Sequence, residues 1–258
     1  IGQYYTPNFI IKYILKNTME KVNILENPFI TVIDISCGAG YFLLQAYDLL
    51  KVKFTSNLKE LREKYRNTIY TVEKNGQIKE VKGNEYWCNE NIHYHLLTHC
   101  IYGADKDSTA VELTKIALLA KESDSKVDSL NIVKCDSLVK WESDIKWKDI
   151  EDQLGSGNTK GNFLLEYKDN NDIWIEKTIS MDKAIEITSL GRFWSRKYDI
   201  VVGNPPYIGH KQLDIPYKEW LLKKYKHVFR DKSDLSFCFF QRIIDILSLE
   251  GIAGIITS

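Results

Sequence analysis

Buried strands are predicted wherever a run of apolar, mostly β-branched residues ends in small or acidic residues. Three such runs are clear, at Ile30–Ile35, Ile101–Ala104 and Ile200–Gly203. Ile132-Val133 is a shorter candidate, and Ile252–Thr257 is a fifth. Continuous apolar runs of this length are typical of parallel strands that are covered on both faces.

Helical periodicity fills the intervals, at Ala39–Leu50, Ser108–Lys121 and Phe237–Leu249. The apolar residues that carry it are Phe42, Ala46, Leu49 and Leu50 in the first helix, Val111, Leu113, Ile116, Leu119 and Ala120, expected largely inward, in the second, and Phe240, Ile243, Ile244 and Leu247 in the third. Strands that alternate with helices predict an α/β fold with a Rossmann-like, doubly wound, mostly parallel sheet.

Two segments interrupt this alternation, and each is predicted to be a hairpin insertion at the rim of the sheet. Thr68–Val81, within residues 52–86, surrounds the turn signal Asn75-Gly76. Phe163–Ile179, within residues 145–195, surrounds Asp169–Asp172 and follows Gly155–Gly161, which is expected to be a mobile loop. Residues 1–258 are otherwise expected to form one domain.

Composition excludes several classes of protein. With 44% hydrophobic residues and 12% aromatics, the 258-residue chain can bury a full core. It contains neither an apolar run of the roughly 20 residues that span a bilayer nor a signal-peptide pattern, so no membrane association is expected. Five scattered cysteines without a C-x-x-C pair favour a reducing cytoplasm over disulfides or a zinc ribbon. The zero net charge leaves room for an enzyme with one local basic face.

A glycine-rich turn, Asp34–Gly40, joins the first strand to the following helix. Such a turn lets a ligand approach the backbone amides at the start of the helix, which is typical of nucleotide-cofactor sites. An anionic pyrophosphate would be repelled by Asp34, whereas a ligand that carries an ammonium and a sulfonium would be attracted. This favours S-adenosylmethionine over NAD. A tight turn without a ligand is the alternative.

Acidic residues also follow the second and third strands. Asp105 can accept the ribose hydroxyls, as in dinucleotide folds, while Asp107 can cap the next helix and leave Asp105 free. Asp136 can accept from the adenine amine of the cofactor. Together, the three strand ends predict a cofactor pocket.

The fourth strand ends in Asn204-Pro205-Pro206-Tyr207. The tandem prolines stop the strand and rigidify the turn, which holds the Asn204 side chain and the Pro205 carbonyl as acceptors. Two acceptors on one planar amine favour a tetrahedral, attacking nitrogen, so positioning and electrostatics can drive methyl transfer. Tyr207 offers a ring that can stack on a base. A loop that merely ends a strand is the alternative.

The chain resembles the TaqI-like, gamma-class amino-methyltransferases of DNA, and it is most similar to the CamA-like clostridial adenine enzymes. The motifs that carry the resemblance are Gly2–Pro7, Asp34–Gly40, Ile101–Asp107, Cys135–Leu138, Asn204–Tyr207, Asp234–Phe240 and Gly251–Thr257. The resemblance implies methyl transfer from S-adenosylmethionine to a flipped adenine of double-stranded DNA. It also implies that residues 1–29 contain a cofactor-lid motif and a helix.

The implied site residues fall into two sets. The catalytic set is Asn204, Pro205, Pro206 and Tyr207. The cofactor-binding set is Tyr5, Thr6, Asp34, Ser36, Cys37, Gly38, Gly40, Phe42, Asp105, Lys106, Asp136, Ser137 and Asn204. Ile35 and Lys106 depart from the family pattern, since the family has a proline and an apolar residue there. The chain ends at Ser258, so the last strands and the target-recognition domain of the family are expected to be missing.

Two further clusters have competing interpretations. Cys88, His93, His95, His99 and Cys100 could suggest zinc ligands, but apolar residues among them favour a connecting helix over Asn91–Cys100. No metal is therefore predicted. A basic cluster follows Tyr207 and consists of Lys211, Lys218, Lys223, Lys224, Lys226, Arg230 and Lys232. It is either a phosphate-facing flank of the target entrance or the solvated side of an amphipathic helix.

Other functions fit parts of the pattern. Protein-glutamine methyltransferases of the release-factor type also use an Asn-Pro-Pro-Tyr turn, but they place a helical domain before the glycine-rich loop. Only a short segment precedes that loop here, which favours a DNA substrate over a protein substrate. A methyltransferase of structured RNA has less support. A non-catalytic, cofactor-binding module associated with DNA is the alternative of a different class.

Overall fold

The computed structural model describes residues 6–74, 76–122, 127–156 and 161–257. Its strands are β1 (Val32–Asp34), β2 (Ile69–Lys74), β3 (Gln77–Lys82), β4 (Ile101–Asp105), β5 (Asn131–Lys134), β6 (Asn162–Lys168), β7 (Trp174–Ser180), β8 (Tyr198–Gly203) and β9 (Leu247–Ile255). Its α-helices are α1 (Asn8–Met19), α2 (Tyr41–Ser56), α3 (Leu58–Lys64), α4 (Gly83–Tyr86), α5 (Asn89–His95), α6 (Ser108–Leu119), α7 (Trp141–Asp144), α8 (Trp147–Gly155), α9 (Met181–Ser195), α10 (Ile215–Lys224) and α11 (Ser236–Ile246).

The central sheet has the order β5-β4-β1-β8-β9, and all neighbouring strands are parallel. All five predicted strands are therefore present, and the expected α/β, Rossmann-like class is confirmed. The chain adds β4 and β5 on one side of β1 and β8 and β9 on the other. The strand order thus reverses at β1, and ligands of such sheets bind outside the carboxyl ends of the strands at this point.

Alternate residues of the strands enter two separate cores, one on each face of the sheet. Val32 and Ile101 pack against α1, α2 and α6, whereas Ile33 and Tyr102 pack against α8, α9 and α11. Because side chains alternate along a strand, burial on both faces requires helices on both faces. The sheet is accordingly doubly wound.

Three helical predictions need correction. On α6 the buried stripe is Ala110, Val111, Thr114 and Leu118. Leu113 and Ile116, expected inward, lie outside that stripe and are 51% and 62% exposed. Ala120, also expected inward, is exposed as well. On α2, Leu49 is likewise exposed. Helix α11 ends at Ile246 rather than Leu249, because Leu247 begins β9 and pairs with Tyr198 of β8; Ile244 on this helix is exposed.

Both predicted hairpins are present. In the first, Lys74 pairs with Gln77, which leaves a two-residue turn; Gly76 has φ +68°, as such a turn requires, and Asn75 lies outside the described residues. The second hairpin is β6–β7. Of the loop predicted to be mobile, residues 157–160 are outside the described part, and its mobility stays a prediction.

The histidine-rich segment is a packed connection, as its apolar residues indicated. It forms α5 and a π-helical turn over Leu96–Cys100. Buried His95 lies 2.8 Å from the Tyr86 hydroxyl and 2.7 Å from the Pro28 carbonyl, and burial lowers its pKa to about 3. Within the described ranges, no group of three or more His, Cys, Asp or Glu residues is arranged to hold a metal ion. None of the helices described there is long and apolar enough to cross a bilayer.

Candidate active site

A cavity of about 890 Å³ opens at the carboxyl ends of β1, β4, β5 and β8. The predicted site residues that line it are Thr6, Asp34, Ser36, Cys37, Gly38, Phe42, Asp105, Lys106, Asp136, Ser137, Asn204, Pro205, Pro206 and Tyr207. Tyr5 lies outside the described residues. The fold thus brings together segments as far apart in the chain as Thr6 and Asn204, whose positions differ by 198.

The glycine-rich turn is fastened to the end of β4 by hydrogen bonds. The Gly38 amide donates to Asp105 Oδ2 at 2.8 Å, and the Thr114 hydroxyl donates to the Gly38 carbonyl at 2.7 Å. Gly40 is outside the lining; it has φ +81°, and an added Cβ would lie 2.8 Å from Thr114 Cγ2. A glycine at position 40 therefore allows the positive φ of the turn and its close packing against Thr114.

Asp34 is an almost fully buried acid at the centre of the site. Only 2% of the residue is exposed, and Oδ1 accepts from the Ser36 amide at 2.9 Å. Burial, and secondarily the charge of Asp105, raise the pKa of Asp34 to about 7. The backbone of β8 crowds the carboxylate, since a Cβ on Gly203 would lie 2.7 Å from Oδ1. A cationic ligand would favour the ionised form of this acid.

The acids after β4 divide their tasks largely as predicted. Asp107 caps α6 by accepting from the Thr109 amide at 2.8 Å. Asp105, however, is not free, because it accepts from the amides of Gly38 and Asp107 at 2.8 and 2.9 Å. These bonds orient the carboxylate, and each oxygen retains a second lone pair for a ligand hydroxyl.

At the end of β5, Asp136 already has a cationic partner. Lys106 Nζ lies 3.2 Å from Asp136 Oδ2 and 4.3 Å from the ring centroid of Tyr217. Burial, and then Asp136, raise the pKa of the Tyr217 hydroxyl. Sequence reasoning did not identify Tyr217 as a site residue, because no local pattern shows that α10 closes this end of the cavity.

Some predicted cofactor residues form the wall of the cavity. The buried Ser137 hydroxyl donates to the Ile35 carbonyl at 2.6 Å. Burial raises the pKa of the Cys37 thiol well above its ordinary value, so the thiol stays protonated. Phe42 is buried as well. Tyr41 and Leu213, which the sequence did not single out, also line the cavity, as do Leu235 and Phe239 of the motif Asp234–Phe240.

Asn204 presents a buried acceptor at the end of β8. Its Nδ2 donates to the Thr6 hydroxyl at 3.1 Å, which sets the orientation of the amide. Its Oδ1 is buried and has no hydrogen-bond partner among the described residues. Leaving a buried carbonyl oxygen unpaired costs about 1–3 kcal/mol. The site therefore retains an acceptor that a ligand N–H can satisfy.

Tyr207 is held by main chain that follows β9. Its hydroxyl donates to the Ile256 carbonyl at 2.5 Å, and the Ile256 amide donates to the Gly203 carbonyl at 3.1 Å. Burial raises the pKa of this hydroxyl, so it stays protonated and continues to donate. The ring is thereby positioned beside Pro205 and Pro206 on the cavity wall.

The basic cluster separates into two groups. Lys224, with 9% side-chain exposure, binds Asp144 at 3.0 Å and Asp172 at 2.6 Å, and Lys223 donates to Asn171 at 2.8 Å. The contacts with Asp172 and Asn171 tie α10 to the second hairpin, and the contact with Asp144 ties it to α7. This is expected of an amphipathic helix whose Leu221 is buried. Lys218 is half-buried, and the exposed cations outside these contacts are Lys211, Lys226, Arg230 and Lys232.

Comparison with known proteins gives matches along the whole chain. The model of the Eco57I restriction-modification methylases matches residues 99–258, and that of the N-6 DNA methylases matches residues 1–153. The chain is 26% identical to the type II restriction enzyme and methyltransferase RM.Eco57I of Escherichia coli, over 97% of the chain and 22% of that protein. It is 38% identical to the type II methyltransferase M.BstVI of Geobacillus stearothermophilus, over 24% of the chain and 11% of that protein.

Solved structures share the fold. The ATP-dependent type ISP restriction-modification enzyme LlaBIII, bound to DNA, gives a TM-score of 0.56 at 13% identity, over 99% of the chain and 14% of that protein. A nuclease-deletion mutant of the type ISP enzyme LlaGI gives 0.52 at 13% identity, over 98% and 18%. The chain thus spans about a fifth or less of the length of these relatives. Because each family model covers more than half of the chain, the chain belongs to the N-6 DNA methylases of the Eco57I restriction-modification type.

Proposed function

We propose that the chain transfers a methyl group from S-adenosylmethionine to the exocyclic amine of an adenine flipped out of double-stranded DNA. The observation that carries this proposal is the unpaired, buried Oδ1 of Asn204 on the wall of the cavity. An amine that donates to this oxygen regains the hydrogen bond that the free protein lacks. The assignment to the gamma class stays a prediction from motif order.

The charge of the cavity fits the proposed cofactor. Its described lining carries the acids Asp34, Asp105, Asp107, Asp136 and Asp214 against the single cation Lys106. An acidic pocket of this kind suits a ligand with ammonium and sulfonium groups and disfavours a pyrophosphate. We assign the methionine part to the turn at Asp34 and Thr6, the ribose to Asp105, and the adenine to the end of β5 near Asp136.

The residues of the chain then have the following roles. Asn204 Oδ1 accepts one N–H of the target amine, and the Pro205 carbonyl accepts the other, so the nitrogen lone pair is directed out of the plane of the base. Both oxygens also stabilise the positive charge that develops on the attacking nitrogen. The ring of Tyr207 stacks on the base. The cofactor, when bound, supplies a methyl group on a positively charged sulfur.

Double-stranded DNA is the proposed partner, and the target must leave the helix because a stacked base cannot reach a recessed pocket. We infer that the exposed cations Lys211, Lys226 and Arg230, which follow Tyr207 in the chain, contact phosphates. The five free cysteines accord with a reducing compartment such as the cytoplasm. A separate domain that recognises the DNA sequence stays a prediction.

The test is transfer of label from tritiated S-adenosylmethionine to adenine-containing duplex, to structured RNA and to a release factor. We expect label in DNA only, recovered as N6-methyladenine. Label in the release factor alone would replace the DNA assignment with the protein-glutamine one, and label in RNA alone would make RNA the substrate. Cofactor binding without transfer to any of the three would favour the non-catalytic module.

The role of Asn204 is tested with Asn204→Ala. Removal of one such acceptor should lower kcat by about 10²- to 10³-fold, while S-adenosylhomocysteine still binds. Asn17→Ala is the matched control, because Asn17 is an exposed asparagine whose side chain donates to the Tyr13 carbonyl of its own helix. Turnover of Asn204→Ala within a few-fold of the control would refute the role.

A further inference from the structure

The ammonium group of Lys106 is held inside the cavity by two different partners. It forms an ion pair with Asp136 at 3.2 Å and lies 4.3 Å from the ring centroid of Tyr217. A cation over the face of an aromatic ring is attracted by the ring quadrupole. The Lys106 side chain is 70% exposed, so solvent can receive it when it leaves.

These two partners are groups that a purine base would need. Asp136 follows β5, which lies beyond β4 in the sheet order, so a nucleoside whose ribose binds Asp105 extends its base toward Asp136. The Tyr217 ring faces the same part of the cavity and is a flat apolar surface on which a base can stack. In the free protein, the Lys106 ammonium covers both the carboxylate and the ring.

We propose that Lys106 is a resident occupant of the adenine subsite, and that its ammonium must leave Asp136 and Tyr217 before a purine base can bind there. Lys106 is then a residue that sets cofactor affinity, by competition rather than by contact. This inference rests on the proposed function, because it takes the ligand to be an adenosyl compound.

The size of the competition follows from the two contacts. A solvent-exposed ion pair and an exposed cation–π contact together hold the ammonium strongly enough to weaken ligand binding by roughly three- to tenfold. Removing the ammonium while keeping a linear apolar side chain should therefore tighten binding by this factor. Added salt screens the ion pair, so the difference between the wild type and such a variant should shrink as ionic strength rises.

The experiment is calorimetric titration with S-adenosylhomocysteine of the wild-type chain, Lys106→Met and Lys115→Met. Lys115 is the matched control, because it pairs with Glu112 at 2.9 Å on α6 and lies outside the cavity lining. Loss of the Lys115 charge therefore measures only the long-range electrostatic effect of removing one lysine on ligand affinity. We expect Lys106→Met to bind roughly three- to tenfold more tightly, with Lys115→Met close to the wild type.

A second measurement follows the side chain itself. Reductive ¹³C-methylation of the lysines gives Lys106 methyl resonances, identified by their loss in Lys106→Met, that the Tyr217 ring shifts upfield. Saturation with S-adenosylhomocysteine should remove this ring-current shift. Equal or weaker binding by Lys106→Met, or a shift that persists in the complex, overturns the inference and leaves the proposed function standing. If neither the wild type nor Lys106→Met binds S-adenosylhomocysteine, both this inference and the proposed function fail.

Discussion

The buried acid Asp34 allows a prediction that links stability, pH and ligand binding. Its carboxylate accepts from the Ser36 amide but lies in a site that burial and Asp105 make unfavourable for a negative charge. Asp34→Asn keeps an acceptor oxygen for that amide and removes the charge. The variant should therefore be more stable than the wild type above about pH 4, where Asp34 is ionised in the unfolded chain. It should also bind a cationic ligand less tightly.

The magnitude follows from the pKa of about 7 in the folded chain against 3.8 for the ordinary group. One pKa unit corresponds to about 1.4 kcal/mol, so ionisation in the folded state costs at most about 4.5 kcal/mol. Because the folded-state pKa is raised, the protonated acid contributes its full stability below pH 4. This contribution falls as pH rises from 4 to 7 and stays lost above 7.

Denaturant unfolding of both proteins from pH 5 to pH 8.5 measures this effect. The stability advantage of Asp34→Asn should grow as pH rises to about 7 and then level off, at a few kcal/mol. In parallel titrations, the affinity of the wild type for S-adenosylmethionine should rise through pH 7, and that of the variant should not. A stability difference that does not depend on pH would refute this account of Asp34.

Two further substitutions test the framework of the site. Gly40→Ala places a Cβ on a residue with φ +81° and within 2.8 Å of Thr114, so thermal unfolding should show a loss of stability of about 1–3 kcal/mol. Gly155→Ala is its control, because the added Cβ meets nothing within 4 Å. Equal melting temperatures of the two variants would contradict the argument. Lys224→Met removes the 3.0 Å partner of Asp144, which keeps the longer contact with Lys168 at 3.8 Å, and should cost about 1–3 kcal/mol in urea unfolding. The exposed Lys223→Met should cost less than 1 kcal/mol, and a reversed order would show that the buried contact does not hold α10 in place.

Strand ends were predictable from the sequence because a buried parallel strand has a simple pattern and the residue after it must lie at one edge of the sheet. Asp34, Asp105, Asp136 and Asn204 reach the cavity for this reason alone. Their distances from one another depend on the order of the strands in the sheet. The periodicity of the sequence indicates that strands and helices alternate, but it does not give this order directly.

The contacts of α10 and the helix α9 were not predictable in this way. The packing position of α10 places Tyr217 in the cavity lining and Lys224 against Asp144 of α7 and Asp172 of the second hairpin. No local spacing encodes that position. Helix α9 was not predicted, because it lies in the segment 145–195, which was interpreted from its hairpin pattern alone. The prediction that Asp105 is free of hydrogen bonds was wrong, because the amides of a tight turn need acceptors and the nearest carboxylate supplies one.

The bond from Tyr207 to Ile256 has a consequence for how sequences of this fold can change. The acceptor is a main-chain carbonyl, so any residue at position 256 can provide it. Exchange of Ile256 for another apolar residue should be tolerated as long as the backbone keeps its path beside β8, whereas loss of the hydroxyl at position 207 removes the bond outright. The contact thus requires a hydroxyl at position 207, whereas position 256 is constrained by its backbone path and by the packing of Ile256 against the first core. Relatives should therefore keep a tyrosine at 207 and exchange Ile256 only for other apolar residues.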